Sequence, residues 1–506
     1  MIADSSRIKL MLHSPLLWIA LLFLLSAKGH LEIIDTEYSV RTALAIIEQR
    51  SMLIDAVDPL VLEIAPQVEG TDKIYSQYGL GLAFLFLPIV LAGKVMASIV
   101  QIDQRIPIDF LLSFYNIPFA ILGLWFFRSI LLKLGASANH ANAFMLILAI
   151  STAYWKYSIT DFSEITQAAF LLGALHSMIG DGSRKWRRVS FWCSLLVAMK
   201  LAYVVLLPLF ALYAWLGKTD ESTKARINKL VDFSICLIPM GLLLAMANYL
   251  RFGSILETGY GTQGSNFSFS YFQRDWFDYV FSTQRGILPF NPVLLATLPA
   301  WFAIPQKHRR LFLLIISICI CWYVLMCFWQ SLQGGYCWGN RLLVPILPLF
   351  LLPIAFLQVK TRATRFGLWG IAGLSILIQV TAACTKIHEC SVLRNKIWAE
   401  TAVHTPNQLP STLRLFAHKI TNGGTAYRAS VLGVESNVII DLSDYDSFRG
   451  FNFWPVHAVK FLGFPGAIRP IGLLLLAGIV ALLSHLAFRH FRSGFSSEKT
   501  YPARRT

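Results

Sequence analysis

Five apolar runs, at residues 231–250, 287–304, 311–329, 342–358 and 366–384, have their flanking basic clusters on alternate sides. Two of the connections between them, Gln306–Arg310 (with Lys307, Arg309 and Arg310) and Lys360–Arg365, are short and basic. The connections on the other side carry few cations and many aromatic residues. Loops rich in Lys and Arg stay cytoplasmic, so such runs thread a bilayer in a determinable order. The chain is therefore read as an all-α polytopic membrane bundle, and each functional group sorts to one side of the membrane.

Composition supports this. Of 506 residues, 56% are hydrophobic and 14% charged, against about 25% charged in soluble domains. The 44 Lys and Arg exceed the 28 Asp and Glu by 16. That excess sits in short loops and in the tail from Arg489 to Arg505, which reads as a topology signal and contact with anionic membrane lipids. No basic stripe interleaved with aromatics is present, so nucleic acid is not expected as a partner. Among the eight cysteines, Cys193, Cys236, Cys319, Cys321 and Cys327 lie inside apolar runs, and only Cys337, Cys384 and Cys390 fall near or beyond a membrane edge. No disulfide framework is implied. Pro15–Ala27, preceded by Arg7 and Lys9, resembles a signal peptide, but no small-residue cleavage site follows and it is read as the first span.

About twelve spans are expected. The first leaves the cytoplasm at 15–28, and the polar, net acidic stretch 29–77 belongs outside. The run 78–99 is long enough to cross, yet a crossing would place Arg128 and Lys133 outside and invert every later basic loop. Gly79, Gly81, Pro88, Gly93 and Lys94 also interrupt it. It is read as a helix lying along or dipping into the outer leaflet. Spans at 108–132, 141–158 and 162–180 then leave Arg184–Arg188 inside, and 189–216 reads as two short helices meeting near Lys200 on the outer side before Lys218–Lys229 inside. After the five runs above, 385–468 forms an outer segment, and a last helix at 470–488 returns the tail to the cytoplasm. The chain thus divides into a module over 1–384 with its first outer loop at 29–107, an extracytoplasmic segment over 385–468, and a final helix with basic tail over 469–506. Both termini are expected inside.

The outer loops collect the chemistry. Asp35 and Glu37 stand two residues apart at a membrane edge, a pattern suited to a general base, metal ligands or a sugar clamp. The plainer reading has Asp35 capping a helix over 36–50, whose apolar positions Val40, Leu44, Ile47 and Met52 keep roughly helical spacing. Asp161 and Glu164 fall at or just within the membrane surface, where ionised groups are costly and usually functional; their spacing also fits a capping box. Lys200, at a helix break, suits a phosphate contact or simply reaches the head groups. The loop Arg251–Gly286 sets Gly259 and Gly261 around Tyr260, with Glu257 before them and Arg285 at its end. Such a turn-rich loop can close over a ligand. The loop Gln333–Arg341 carries Trp338, an ordinary belt residue by type. Arg341, however, opens a helix on the outer face against the charge trend, where a guanidinium suits a bidentate phosphate contact.

In this order the motifs resemble the GT-C superfamily of integral-membrane glycosyltransferases, in particular its polyprenyl-phosphate-sugar-dependent group, which includes protein mannosyltransferases and the lipid A aminoarabinose transferase. The matching elements are Asp35-Thr36-Glu37, Tyr75-Ser76-Gln77-Tyr78-Gly79, the Glu164 loop, Lys200, Arg251-Phe252-Gly253-Ser254 with Gly259-Tyr260, Arg285-Gly286-Ile287-Leu288, and Trp338-Gly339-Asn340-Arg341 followed by Pro345 and Pro348. The resemblance covers residues 15–360 or so, and the order of the motifs is its specific part. It implies a sugar donor on a polyprenyl phosphate and a lipid, glycan or protein acceptor. It makes Asp35 the catalytic base and gives Glu37 the positioning of the acceptor or a metal. It sets Lys200, Arg341 and Arg285 at the donor phosphate, and lines the sugar pocket with Asp161, Glu164, Glu257, Tyr260 and Trp338. A divalent metal ion is the one cofactor it leaves open, because family members differ and no His cluster decides the matter here.

The expected activity is inverting transfer of a sugar to an acceptor hydroxyl on the extracytoplasmic face, with short loops pointing to a bacterial inner membrane. A transporter or flippase of a lipid-linked glycan is the alternative of a different class. Transporters often show internal repeats and mid-membrane charges, whereas the ionisable residues here cluster at one face. A glycan polymerase or ligase would share an outer-facing site.

Overall fold

The computed structural model describes residues 14–54, 73–180, 182–217, 221–260, 267–329, 334–335, 337–357, 361–386, 407–421, 426–428, 439–441 and 451–486. Arg7, Lys9, Lys218, Gly261, Gln333, Tyr336, Lys360, Cys390, the tail Arg489–Arg505 and much of the outer segment 385–468 lie outside the described residues.

The chain opens with α1 (Pro15–Ser26), whose proline occupies the first turn, where its missing N–H costs nothing. Then come α2 (Ile34–Gln49) and α3 (Leu80–Val100), followed by α4 (Arg105–Leu112) and α5 (Asn116–Lys133), which together make one 29-residue apolar element. Next are α6 (Ala138–Ile150), α7 (Tyr154–Ser158), α8 (Glu164–Ile179) and α9 (Lys185–Met199). At Lys200 the backbone turns extended, with φ −154 and ψ 115, before a 3-10 turn at Leu201–Leu206 and α10 (Leu207–Trp215). The break expected near Lys200 is thus present. The remaining long helices are α11 (Thr223–Ser234), α12 (Leu237–Phe252), α13 (Arg309–Phe328), α14 (Arg362–Cys384), α15 (Gln408–Thr421), α16 (Trp454–Phe461) and α17 (Ile468–Leu486). A two-stranded antiparallel ribbon pairs Ala426–Arg428 with Ile439–Asp441.

Two of the apolar runs fold as chains of short turns instead of single helices. Over 287–304 these are Ile287–Phe290, Pro292–Thr297 and Leu298–Phe302; over 342–358 they are Arg341–Ile346, Leu347–Leu351 and Leu352–Phe356. The cause is proline, at 289, 292 and 299 in the first run and at 345, 348 and 353 in the second. Each removes an N–H and clashes with the carbonyl four residues earlier, so the chain tightens into 3-10 turns.

Among the described residues, five helices are long and apolar enough to cross a membrane by length and composition: Leu80–Val100, Arg105–Lys133, Thr223–Phe252, Gln306–Phe328 and Arg362–Cys384. The chain is an integral membrane protein built as a helical bundle. Its centre is α8, buried all round except at His176 and Ile179 and packed against α5, α9 and the Arg341–Ile346 turn. A helix apolar on every face belongs in such an interior.

The helix α3 belongs to those five, so length and composition leave a crossing open to it. It packs against α2, α4 and α9. The Tyr78 hydroxyl, just before α3, donates to Asp35 near the start of α2, and Lys94 pairs with Glu48 near the end of α2. The two helices therefore run side by side in the same direction. Gly79 permits the start of α3 to lie against the carbonyls of Ala198 and Met199, since any side chain there would collide with Met199.

Candidate functional site

Asp35 lies in the first turn of α2 beside Glu37, where the helix's partly positive end favours carboxylates. It is not a cap: the helix begins at Ile34, and no side chain caps it. One Asp35 oxygen, Oδ2, meets Arg341 Nη2 at 2.7 Å. The other, Oδ1, accepts the Tyr78 hydroxyl at 2.8 Å. Glu164, the first residue of α8, brings Oε1 to 3.9 Å from Arg341 Nε, and the guanidinium lies over the Phe162 ring with 4.6 Å to its centroid. Lys200 is near enough to interact electrostatically with Asp35, Glu164 and Arg341, while its ammonium faces the Trp322 ring at 5.9 Å. That ring is stacked on Tyr203, 4.0 Å between centroids. Two carboxylates, two cations, Tyr78 and Tyr260 thus converge.

Burial makes these charges matter, because a low-dielectric setting strengthens every pairing within it. Tyr260 feels Asp35 and Arg341; burial, then the Asp35 charge, pushes its phenol up to about 12. Tyr78 is raised for the same two reasons. Among the described residues, Glu164 Oε2 and Arg341 Nε are buried without a hydrogen-bond partner. Leaving such atoms unpaired costs on the order of 1–3 kcal/mol each, so both are places where a polar ligand is favoured. Gly334, at φ +88, lets the loop wrap the arginine: a β-carbon there would stand 2.5 Å from Arg341 Nε.

The side chains of the other candidates engage different partners. Glu37, two residues along the helix from Asp35, turns away from it and pairs with Arg41 at 2.8 Å and Arg105 at 2.5 Å. Burial opposes its ionisation, but those two guanidinium groups hold it below the usual carboxylate range. Asp161 accepts the backbone N–H groups of Glu32 and Ile33, so it anchors the loop before α2. Burial and the Glu32 charge push it up to about 8. The capping box read for Asp161 and Glu164 does not form, because α8 starts after Ser163 with no side-chain cap. Arg285 pairs with Asp275 at 3.2 Å and Asp278 at 2.8 Å. Glu257 accepts the Gly259 N–H. Trp338 packs edge-on to Phe290, and its carbonyl takes the Tyr157 hydroxyl at 2.8 Å.

Several further residues hold the site. Lys28, in the bend after α1, is 1% exposed and donates to the carbonyls of Ala383 (2.6 Å) and Asn452 (3.0 Å). Asn452 Nδ2 donates to Glu32 Oε1 at 2.7 Å. Burial opposes ionisation of Glu32, yet His30, Lys156 and Lys28 hold its pKa well below the ordinary value. Gln408, at the start of α15, accepts the Gly339 N–H and donates to the Cys337 carbonyl. Asn452 therefore grips the loop before Asp35, and Gln408 grips the loop before Arg341. Lysines at apolar runs, Lys28 and Lys156, are the one signal the sequence offers, while Asn452, Glu32 and Gln408 offer none.

A metal fits poorly here. Among the described residues no three His, Cys, Asp or Glu side chains gather to hold an ion, and the two carboxylates at the site bracket a guanidinium where a cation would have to sit.

No protein-family model and no curated protein matches the chain. Among solved structures it is similar to ArnT from Cupriavidus metallidurans bound to undecaprenyl phosphate, at 13% identity over 97% of this chain and 79% of that one, with a TM-score of 0.51. The chain has a GT-C fold. The apo form of the same ArnT overlays at TM-score 0.48, with 14% identity over 96% and 78% of the two chains. The apo Archaeoglobus fulgidus oligosaccharyltransferase overlays at 0.36, with 15% identity over 83% and 54%; both of these overlays are too loose to carry weight. The GT-C likeness spans the sequence well beyond the motif-bearing residues 15–360, and so takes in the C-terminal part that no motif had matched.

Proposed function

We propose that this protein is an inverting glycosyltransferase that moves a sugar from a polyprenyl phosphate to an acceptor hydroxyl at the extracytoplasmic face of the membrane. One observation carries the reading: a carboxylate, Asp35, is paired at 2.7 Å with a half-buried arginine, Arg341, and a lysine, Lys200, lies in the field of both. A base beside two cations is what such a transfer needs. The acceptor oxygen attacks the anomeric carbon while its proton passes to Asp35, which suits a carboxylate because the proton is lost as the bond forms. The bond from the anomeric carbon to the phosphate oxygen breaks with its electron pair. The phosphate monoester that departs gains negative charge, which Arg341 and Lys200 stabilise in a partly dry site. Glu164 and Tyr260 line the space for the sugar.

The similar ArnT structure holds undecaprenyl phosphate, and the same carrier chemistry fits the two cations here. Asp35, Glu164, Lys200, Tyr260 and Arg341 interact with one another and form the reaction centre of this reading. The contacts of Glu37, Asp161, Glu257, Arg285 and Trp338 favour roles in holding the surrounding loops over the acceptor, phosphate and sugar-pocket roles that the resemblance implies. Loss of an envelope glycan in cells carrying Asp35→Asn, with retained binding of undecaprenyl phosphate by the purified variant, is the expected result. Unchanged glycan in those cells would overturn the assignment of Asp35 as base.

A further inference from the structure

The far end of the bundle carries a second polar cavity, apart from the cluster around Asp35. It measures about 330 Å³ and is lined by Lys133, His176, Ser177, Ile179, Gly180 and Arg188, a size within the roughly 300–1,000 Å³ of small-molecule sites. Glu164 opens α8 at the Asp35 cluster, and His176 follows twelve residues later on the same helix. At 1.5 Å per residue that separates the two by about 18 Å along the bundle. Lys133 ends α5 and Arg188 lies in the first turn of α9, so three helix ends meet here.

The lining is basic. Lys133 Nζ approaches His176 Nε2 at 2.9 Å and donates to the His176 carbonyl at 3.1 Å, and both Lys133 and Arg188 act electrostatically on His176. The chain around the cavity adds Arg184, Lys185 and Arg187 against one acidic neighbour, Asp181, which lies outside the described residues. Arg187 is already paired with Asp232 at 2.7 Å. Beside this charge runs an aromatic wall toward the middle of the bundle. The Trp125 ring lies 5.3 Å from His176 and is 45% exposed. Phe126 links His176 to Trp192, and Trp192 touches Phe191, which is 47% exposed. Gly173 makes room for this seam, since a β-carbon there would stand 2.7 Å from the Trp192 ring.

We infer that this cavity binds the phosphate of an anionic phospholipid, with Lys133 and Arg188 on the phosphate and an acyl chain along Trp125 and Phe191. A basic hollow alone would suit any phosphate. The apolar wall continuous with it selects a ligand that carries a hydrocarbon chain on the same molecule, and basic pockets between membrane helices are suited to lipid head groups.

The test uses the purified full chain, delipidated in detergent, with binding read by native mass spectrometry and by thermal stability. Phosphatidylglycerol is expected to stay bound and raise the melting temperature, with phosphatidylcholine and inorganic phosphate giving little. Both Lys133 and Arg188 are exposed, so Lys133→Gln and Arg188→Gln should fold, which the gel-filtration profile checks. Each is expected to weaken phosphatidylglycerol binding roughly fivefold, the usual worth of one basic side chain at an anionic surface. Arg309→Gln, an exposed cation at the start of α13, is expected to leave that binding unchanged. Equal binding of phosphatidylcholine, equal loss in Arg309→Gln, or inorganic phosphate reproducing the full effect would each overturn the inference.

Discussion

Both oxygens of Asp35 are engaged: Arg341 holds Oδ2 at 2.7 Å and the Tyr78 hydroxyl holds Oδ1 at 2.8 Å. Each oxygen keeps a further lone pair for an acceptor proton, and the base gains room when one of these partners leaves. The arginine is the partner that a donor phosphate would compete for, because guanidinium binds phosphate bidentately. Under the proposed function, donor binding draws Arg341 toward the phosphate and exposes the base in the same step. Arg341→Gln is then expected to lower transfer about 10²–10³-fold, the range for losing a charge-stabilising donor at a transition state. Arg341→Lys keeps the charge without the planar fork and should recover only part of it. Envelope glycan output in cells carrying each variant measures this, and near-normal output from Arg341→Gln would remove Arg341 from the reaction.

Tyr78 holds the other oxygen and packs its ring against Tyr38 at 5.8 Å. Tyr78→Phe keeps that packing and deletes one hydrogen bond to a charged group. Such bonds contribute about 1.5–3 kcal/mol, so a rate loss of roughly 10- to 150-fold is expected, smaller than that of Asp35→Asn. Loss equal to Asp35→Asn would instead make the phenol itself part of the chemistry.

Much of the bundle is legible in the chain because charge and length dictate it. The break near Lys200 falls where a lysine interrupts an apolar run too long for one span. Residues 287–304 and 342–358 read as plain spans, although their prolines break both into turns. Hydropathy counts apolar residues and does not see the missing N–H groups. At the site, Asp35 and Arg341 stand out by residue type, but spacing gives no direction. That is why Glu37, on the far side of α2 from Asp35, looks like a partner in the sequence and pairs elsewhere in the fold. Asn452 and Gln408 are ordinary polar residues in a segment without a motif, and only the chain's long-range folding brings them to the site.

Asp161 supplies a pH dependence. Its folded pKa, pushed up to about 8 by burial and the Glu32 charge, exceeds the roughly 3.9 of an unfolded aspartate. Between those values the native state binds more protons than the unfolded one, so stability falls as pH rises. The neutral amide introduced by Asp161→Asn can still accept a backbone N–H and has no charge to repel Glu32. Wild-type protein in detergent is expected to melt at a lower temperature at pH 8 than at pH 5, and Asp161→Asn to lose most of that difference. A wild-type melting temperature that rises across this range would contradict the assignment.

Asn452 and Gln408 reach the two halves of the site separately. Asn452 donates to Glu32, three residues before Asp35, and its own N–H is held by the Cys384 carbonyl. Gln408 bonds Cys337 and Gly339, just before Arg341, and its N–H donates to Gln284. Both side chains are buried, so truncation leaves their partners unpaired at about 1–3 kcal/mol each. Asn452→Asp is expected to be worse than Asn452→Ala, because it sets a second carboxylate against the buried Glu32. Because the two contacts address different loops, the stability losses of Asn452→Ala and Gln408→Ala should add in the double variant. Their effects on transfer should exceed additivity, since each shifts one member of the Asp35–Arg341 pair relative to the other. Thermal melts and glycan output of the single and double variants decide it, and additive losses in both readouts would reduce Asn452 and Gln408 to purely structural contacts.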